Sequence, residues 1–288
     1  MPKQLKLIHL VIILCLSVFA FSTHSIASSN DGLLKIYFFD IGQGDSFLIE
    51  TSEGQQILVD GGPGNQVLSK LGEVMPFYDK DIDLVVLTHP HFDHYAGLVE
   101  VLGRYEVGSI MEAKEEDNTA GFKAWRDAVN NEGANEIEAI ASRTINLGDE
   151  TQLVVLYPTE SLEGHNFKNP NDSSVVLMLK YKELEVLLTG DIETKRERAM
   201  LLDGINIDSD VIKIAHHGSK TSSTEEFLSA VSPEVAVIQV GAKNRYGHPS
   251  PEVLERLENY DINYYRNDLN GDIKLVSDGN NYLISTQK

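Results

Sequence analysis

The chain has 288 residues, of which 42% are hydrophobic, and its formal net charge is −20 at pH 7. A hydrophobic share of this size excludes an intrinsically disordered protein. The acidic balance also argues against a protein that coats nucleic acid without sequence preference, because that class usually presents a basic surface.

The first predicted element is an export signal over residues 1–27. Lys3 and Lys6 precede the apolar run LIHLVIILCLSVFAF, and the small residues of SIA at 25–27 suit a signal peptidase. The run is about 15 residues long against the ~20 that span a bilayer, so an uncleaved anchor is only the alternative. Removal of the signal also removes Cys15, the only cysteine. A mature protein without disulfides or thiolate ligands suggests a bacterial periplasm or exterior, with no stable membrane insertion.

The mature chain, residues 28–288, is predicted to form one hydrolase domain. Its first half alternates strands and helices. Strand patterns in LLKIYFFDI, SFLIET and QILVDGG are separated by the turn residues of GQGD and SEGQ. A helix is predicted over 67–74, and the apolar run LVVL is typical of a buried strand. Further helices are predicted over 95–102 and 121–129. The second of these contains Trp125, which is more typical of packing than of a platform for stacked bases.

A second round of strands and helices begins near Thr144. Its predicted strands cover 153–156, 174–180, 184–189, 211–215, 235–240 and 262–265, and its helices cover Thr194–Leu202, 224–231 and Pro251–Asn259. A closing hairpin is predicted over 272–285, because DGN is a strong turn signal. Two rounds of strands, each followed by helices, predict an α/β protein with two mixed β-sheets packed face to face and helices on the outside, an αββα sandwich.

The stretch THPHFDHYAG concentrates metal-binding side chains directly after the predicted buried strand. His89 and His91 are two positions apart, and the side-chain period of a strand points both imidazoles the same way, so that they can chelate one ion. Asp93 and His94 follow a tight turn at the start of the next helix and can reach a second ion. The spacing H-x-H-x-D-H therefore predicts a site for two metal ions, against the alternative of a solvated polar loop.

THPHFDH resembles the signature motif of the metallo-β-lactamase superfamily, and other stretches resemble that family's motifs in the expected order. These are ILVDGG with Asp60, LLTGD with Asp191, and IKIAHHGSKTSS with His216 and His217. FFDIGQGDS, NDSSVVLML and NRYGHPSPEVLERL further resemble the hydrolase domain of ComEC-type competence proteins. The resemblance covers nearly the whole mature chain from about residue 34. It implies the metallo-β-lactamase fold and a nuclease-like hydrolase, because the domain is taken to be a nuclease in those DNA-uptake proteins.

Two departures from the family pattern limit what the resemblance implies. ComEC proteins are polytopic membrane proteins, whereas one exported domain is predicted here, so DNA uptake is not implied. Stand-alone exported relatives include enzymes that cleave phosphodiesters such as phosphocholine on cell-wall polymers. Where hydrolytic β-lactamases have a further histidine on the first metal, this chain has Asn171. That difference weakens the case for β-lactam hydrolysis.

The resemblance, with the spacing, implies a ligand set drawn from distant parts of the chain. Asp191 should bridge the two ions through its two carboxylate oxygens. Of the adjacent histidines, His217 is favoured as a ligand because the family pattern places one beside the glycine, which leaves His216 to face a substrate oxygen or support a ligand. The predicted metal ligands are His89, His91, Asp93, His94, Asp191 and His217.

Further residues are predicted to act on the substrate or to orient ligands. The predicted catalytic residues are Asp93, Asp191, His216 and His248. His248 would protonate a leaving oxygen, with a surface loop histidine as the alternative. The predicted substrate-binding residues are Asn171, Ser219 and Lys220. For the last two a loop with a helix cap is the alternative. Asp60 and Asp45 are predicted to orient a ligand histidine, unless each simply forms a turn.

The predicted chemistry is hydrolysis that depends on two divalent metal ions. All the ligands are hard or borderline donors, so Zn²⁺ is the first choice, with Mn²⁺ or Fe as alternatives. Two ions that share a water lower its pKa toward ~7 and let it attack phosphorus or an acyl carbon. The predicted substrate is a small-molecule or polymeric phosphodiester, DNA included. The alternatives are a lactonase or β-lactamase acting on an acyl bond and a non-catalytic metal-binding module.

Overall fold

Two mixed β-sheets form the centre of the computed structural model, which describes residues 31–288. The predicted signal at 1–27 lies outside the described residues. Across the first sheet the strands are β15 (Tyr282–Thr286), β14 (Ile273–Ser277), β1 (Leu34–Phe38), β2 (Phe47–Glu50), β3 (Gln56–Val59), β4 (Asp81–Val86), β5 (Glu106–Glu112) and β6 (Asn135–Glu138). Pairing is antiparallel from β15 to β3 and parallel from β3 to β6.

The second sheet repeats this division into a parallel and an antiparallel half. Its strands in order are β13 (Asn263–Arg266), β12 (Val235–Ile238), β11 (Val211–Lys213), β10 (Leu184–Leu188), β9 (Val176–Tyr181), β8 (Thr151–Tyr157) and β7 (Thr144–Asn146). Pairing is parallel from β13 to β10 and antiparallel from β10 to β7. Each sheet therefore has a parallel half in which the carboxyl ends of all the strands lie at the same edge.

Helices connect the parallel strands, and the last of them links β13 of the second sheet to β14 of the first. They are α1 (Gln66–Val74), α2 (Phe92–Leu102), α3 (Ala120–Glu132), α4 (Thr194–Leu202), α5 (Glu225–Val231), α6 (Pro251–Asn259) and the single turn α7 (Asn267–Asn270). Their starts follow capping chemistry: the Thr119 side chain accepts from the Phe122 N–H at α3, and Ser250 caps α6 ahead of a proline. Among residues 31–288, every helix falls short of the length and apolar character that crossing a bilayer requires.

Alternation of side chains along the strands builds three hydrophobic layers. Val186 and Leu188 of β10 join Phe38 of β1 in a cluster shared by both sheets. Between them, Leu187 points the other way and packs with Phe227 of α5 on the outer face of the second sheet. The outer face of the first sheet packs against Leu98 and Trp125 of its own helices. The predicted αββα sandwich is therefore confirmed.

Element bounds differ from the predictions where a segment lacks a clear apolar period. Helices Thr194–Leu202 and Pro251–Asn259 and the closing hairpin lie where they were expected. Helix α2 begins at Phe92 rather than at 95, so the polar residues of its first turn are helical. Strands β5 and β6 have no predicted counterpart, because EVGSIME begins with charge and glycine and NEIE is a polar edge strand.

Candidate metal centre

The predicted ligands meet at the edge where the parallel strands end. His89 and His91 follow β4, and Asp191 follows β10. His217 follows β11, which lies beside β10 in a parallel pair. Carboxyl ends of parallel strands share one edge, and α/β proteins bind ligands there. Ligands that are far apart in the sequence therefore lie close together in the fold.

Three non-glycine residues at this edge adopt left-handed backbone conformations. Asp60 has φ 54°, His216 has φ 50° and His217 has φ 54°. Such conformations cost about 1–3 kcal/mol each and persist where surrounding contacts impose them, which is typical of functional sites. Their location in the ILVDGG and AHHG motifs shows that these motifs aim side chains rather than merely turn the chain.

Asp191 Oδ2 is the atom on which the imidazoles converge. It lies 3.4 Å from His94 Nε2 and 3.4 Å from His217 Nε2. His89 Nε2 is 3.9 Å from the same oxygen. The Asp191 backbone N–H donates to Ser174 Oγ at 3.1 Å, which helps to fix the carboxylate in the LLTGD turn. One buried carboxylate thus contacts histidines from both halves of the fold.

The group of Asp93, His94, His217 and Asp191 fits a divalent ion. His217 Nε2 lies 3.5 Å from Asp93 Oδ2 and 3.4 Å from Asp191 Oδ2. A tetrahedral site with metal–ligand bonds of about 2.0–2.1 Å requires donor separations of about 3.3–3.4 Å. His94 Nε2 and His217 Nε2 are also buried without a hydrogen-bond partner in the described chain. Two buried imidazole nitrogens that have no hydrogen-bond partner and face the same carboxylate are the kind of donor set that binds a metal ion.

The position for the first ion has fewer candidate ligands. His89 Nε2 lies 2.9 Å from His91 Nδ1, so the two imidazoles meet as their spacing predicts. Asp191 is the carboxylate nearest to this pair that also reaches the second position. Asn171 is buried, and its amide nitrogen lies 3.4 Å from His216 Nδ1. The first position is accordingly the more open one.

Buried hydrogen bonds hold the ligand histidines from behind. Asp60 Oδ2 lies 2.7 Å from His94 Nδ1 and accepts from the Thr88 hydroxyl at 2.7 Å. The same hydroxyl is 3.0 Å from His89 Nδ1. His217 Nδ1 contacts the Gln239 carbonyl oxygen at 3.0 Å. Such partners fix the ring orientation and leave the opposite nitrogen free to bind a metal.

Lys213 and Asp45 form a buried ion pair beneath the site. Lys213 Nζ pairs with Asp45 Oδ2, donates to the Gly190 carbonyl at 3.1 Å and lies 4.0 Å from Asp191 Oδ1. Burial would lower the pKa of Lys213, but Asp45 and Asp191 outweigh it and raise that pKa. The sequence analysis missed this lysine. Its signal was a single charge inside the apolar run VIKIA, where a core strand has no use for one.

Neighbouring carboxylates raise the pKa of two of the ligand histidines. Burial would lower the pKa of His94 and His217, but carboxylates outweigh it. Asp191 and Asp60 raise the pKa of His94 well above its usual value, and Asp191 and Asp45 raise the pKa of His217 to about 10. Burial would in turn raise the pKa of Asp191, but His217 and His94 hold it well below the usual range. A metal ion must therefore displace protons when it binds.

Metal-free and metal-loaded protein should respond oppositely to pH. A histidine whose pKa is 6.5 when unfolded and about 10 when folded stabilises the protein fully below pH ~6.5 and loses that contribution as the pH rises through 10. The Tm of the EDTA-treated protein should therefore fall between pH ~6.5 and ~9. With Zn²⁺, which needs neutral imidazoles, the gain in Tm should grow over the same range. A His165→Asn control should keep both trends, and parallel trends in the two forms would contradict this account.

A cavity of about 310 Å³ opens over the ligands, and all four predicted catalytic residues line it. His216 Nδ1 lies 3.3 Å from Glu193 Oε1. His248 is half-buried, and burial, then the charges of His216 and His217, lower its pKa to about 4. Ser219 is buried and bonds Thr221 Oγ1 at 3.0 Å, while Lys220 is exposed; neither lines this cavity. Their role in binding phosphate stays a prediction.

Sequence and structure comparisons place these features among known proteins. The family model "Metallo-beta-lactamase superfamily" matches residues 39–242. The chain is 32% identical to ComE operon protein 3 of Bacillus subtilis, over 83% of this chain and 32% of that protein. It is 31% identical to competence protein ComA of Neisseria gonorrhoeae, over 81% of this chain and 31% of that protein. The solved structure of Tm1679, a "metal-dependent hydrolase of the beta-lactamase superfamily", aligns with TM-score 0.53 and 15% identity over 81% of this chain and 95% of that one.

Two sheets that deliver imidazoles and carboxylates to a common edge define a metal-dependent hydrolase. The family match covers well over half of the chain. The chain belongs to the metallo-β-lactamase superfamily, and the predicted resemblance to ComEC-type competence proteins is confirmed. It spans about a third of the length of the competence proteins that it matches.

Proposed function

We propose that the protein is a dinuclear metal-dependent phosphodiesterase. The observation that carries the proposal is the convergence of His89, His94 and His217 on the Asp191 carboxylate. Asp93 lies beside His217 and His91 beside His89. This is a donor set for two neighbouring divalent ions, with Zn²⁺ as first choice and Mn²⁺ or Fe as alternatives. Similarity to the competence proteins supports a phosphodiester rather than an acyl substrate.

The open first position also favours a phosphodiester. Two imidazoles and a shared carboxylate leave room for substrate oxygens, and catalytic sites need such open positions. Asn171, buried against His216, lies in the loop in which the resemblance places a further histidine of β-lactamases, and residues 171–174 contain no histidine. An amide in that place adds no strong metal ligand. The non-bridging oxygens of a phosphodiester are well suited to fill the remaining coordination positions.

Bound divalent ions would supply a water of lowered pKa and neutralise charge on the phosphate oxygens. The chain's own residues would orient the ligands and move protons. His216 lines the cavity with its Nδ1 held 3.3 Å from the Glu193 carboxylate, and we assign it as the proton donor to the leaving oxygen. That role was predicted for His248. A pKa of about 4 leaves His248 neutral at pH 7, so it suits accepting a hydrogen bond better than donating a proton.

Export to a bacterial periplasm or exterior is part of the proposal. It depends on the signal-like segment 1–27, whose lysines, apolar run and SIA end are features of the sequence. Sequencing the amino terminus of protein recovered outside the cytoplasm should give a chain that begins at Ser28. Protein that keeps its first residues and stays in the cytoplasm would contradict export.

A substrate panel tests the proposed reaction. Purified protein loaded with Zn²⁺ or Mn²⁺ should hydrolyse bis-p-nitrophenyl phosphate, and EDTA should abolish that turnover. Nitrocefin and a homoserine lactone should remain intact. Turnover of either acyl substrate with the phosphodiester untouched would indicate a lactonase or β-lactamase instead. Bound metal without hydrolysis of any of the three would indicate a metal-binding module.

A further inference from the structure

A second cavity continues from the metal centre across the surface. It has a volume of about 470 Å³ and shares Gln43, Phe92, Asp93 and Tyr246 with the cavity over the ligands. Beyond the shared residues it extends to Lys243 and Arg245. The two spaces therefore form one groove with the metal centre at one end, and a polymer cut at the metals would run along it. We call the second cavity, which is lined by Gln43, Pro63, Phe92, Asp93, Lys243, Asn244, Arg245 and Tyr246, the distal groove.

The charge of the distal groove is opposite to that of the protein. The chain carries 44 acidic and 24 basic residues, yet Lys243 and Arg245 both line this surface. In the described part of the chain no carboxylate pairs with either cation, and the Arg245 guanidinium reaches only the Tyr246 hydroxyl, at 3.4 Å. The acidic side chain in the groove is Asp93, which a metal ion would neutralise. Unpaired cations on an acidic protein indicate a local site for polyanions.

Two exposed aromatic rings stand beside these cations. Phe92 is 60% exposed and Tyr246 is 57% exposed, which is unusual for rings of this size. The Tyr246 ring stacks on His248 with centroids 5.7 Å apart and an interplanar angle of 16°. The Arg245 guanidinium lies 5.4 Å from the Tyr246 centroid. A stacked, exposed ring next to a cation is a platform that single-stranded bases favour.

Hydrogen bonds hold the loop that carries this platform. The Asn244 amide nitrogen donates to the Gly241 carbonyl at 2.9 Å and to the His248 carbonyl at 2.8 Å. Its side-chain oxygen accepts from the His248 N–H at 2.9 Å. A Cβ added at Gly241 would lie 2.6 Å from the Gln43 backbone nitrogen, so the loop packs directly on the GQGD turn. The cations and the ring therefore belong to a fixed surface.

We propose that the distal groove binds single-stranded nucleic acid beside the phosphodiester to be cleaved, with Lys243 and Arg245 on backbone phosphates and Tyr246 and Phe92 under bases. The assignment deepens the proposed phosphodiesterase function and rests on it, because the groove leads into the metal centre. Exposed ring faces need unstacked bases, which a duplex does not offer. A choline-bearing polymer fits less well. Aromatic rings alone would attract its quaternary ammonium, but the unpaired cations Lys243 and Arg245 beside the rings repel it.

Binding of a fluorescent oligothymidylate in EDTA tests the groove without metal or turnover. Lys243→Ala/Arg245→Ala should weaken binding at least ~10-fold and make the slope of log K against log salt shallower by about 1.4, at about 0.7 per lost phosphate contact. The control Lys123→Ala/Arg198→Ala removes the same charge from exposed positions on α3 and α4 and should leave affinity within ~2-fold. Equal affinities of the two double variants would overturn the proposal.

Stacking is tested separately. Tyr246→Ala should weaken oligothymidylate binding about 5- to 100-fold, whereas Tyr246→Phe should restore it, because a phenyl ring still stacks. An abasic deoxyribose phosphate oligomer of equal length should bind wild type at least as weakly as the Tyr246→Ala variant binds the thymidylate, because it loses stacking on both Tyr246 and Phe92. Equal binding of the abasic oligomer and the thymidylate to wild type would overturn the assignment and indicate a base-free phosphodiester polymer.

Hydrolysis of bis-p-nitrophenyl phosphate separates the two proposals. If the protein hydrolyses the phosphodiester with metal but the groove variants keep their oligonucleotide affinity, the binding role of the distal groove is rejected and the phosphodiesterase function stands. Oligonucleotide binding that the groove variants lose, without hydrolysis of any phosphodiester, would reject the phosphodiesterase and leave a nucleic-acid-binding surface. Unfolding midpoints equal to that of wild type would show that the variants, which change mostly exposed side chains, are folded.

Discussion

Asp191→Ala should leave the protein unable to hold its divalent ions and should lower the hydrolytic rate at least ~100-fold. Its Oδ2 lies 3.4 Å from both His94 Nε2 and His217 Nε2 and 3.9 Å from His89 Nε2, so one substitution removes a donor from both metal positions. Replacement of residues that only support ligands typically costs 10- to 100-fold in metal affinity or activity, and a shared ligand should cost more. Elemental analysis of the purified protein, with the rate on bis-p-nitrophenyl phosphate, measures both effects.

The matched control is Asp208→Ala, an exposed aspartate on the loop before β11. It should keep full metal content and a rate within ~2-fold of wild type. Removal of Asp191 also takes one of two carboxylate partners from the buried imidazoles of His94 and His217, so a lowered Tm in the metal-free variant is expected and does not count against the prediction. Full metal content together with an unchanged rate in Asp191→Ala would contradict the role of the carboxylate.

The adjacent histidines should separate into a ligand and a proton donor. His217→Ala should reduce metal content, because its Nε2 is a buried orphan facing Asp93 and Asp191. His216→Ala should keep both ions but lower kcat about 100-fold, in the range that general acid catalysis contributes. The difference arises from backbone conformation, since left-handed φ at both residues sends the two rings to different neighbours.

Metal content, kcat and KM measured on both variants decide this assignment. A His216→Ala protein without metal, beside a His217→Ala protein with two ions, would reverse the roles. Loss of the leaving-group proton should also make the His216→Ala defect smaller on substrates with good leaving groups. An equal defect for nitrophenolate and alkoxide leaving groups would argue against His216 as the proton donor.

Local sequence patterns predicted those parts of the site that lie close together in the chain. His89 and His91 lie in the bend that follows β4, and Asp93 and His94 lie in the first turn of α2, so their closeness follows from their proximity in sequence. The αββα layering followed from the alternation of strands with helices. Asp191 and His217 came only through resemblance, because nothing in LLTGD or AHHG shows that β10 and β11 pair. Their meeting is a property of the tertiary fold.

Residues whose role depends on burial or on a neighbouring loop escaped the sequence analysis. Lys213 is almost completely buried and pairs with Asp45, which is 168 positions earlier. Trp125 was correctly predicted to pack, since it is buried beneath the first sheet. The exposed rings beside the metal centre are instead Phe92 and Tyr246, which no periodicity distinguishes from ordinary loop residues. The two rings come together only in the fold, where they line the same cavity.

Anomalous diffraction from crystals of the metal-loaded protein tests the central claim most directly. Data collected on either side of the absorption edge of the bound metal should show two peaks about 3.5–4 Å apart. One peak should lie within bonding distance of Asp93, His94 and His217, the other should lie beside His89 and His91, and Asp191 should contact both. Hydrolytically active crystals with no anomalous peak next to Asp191, or with metal bound only elsewhere on the chain, would contradict the account.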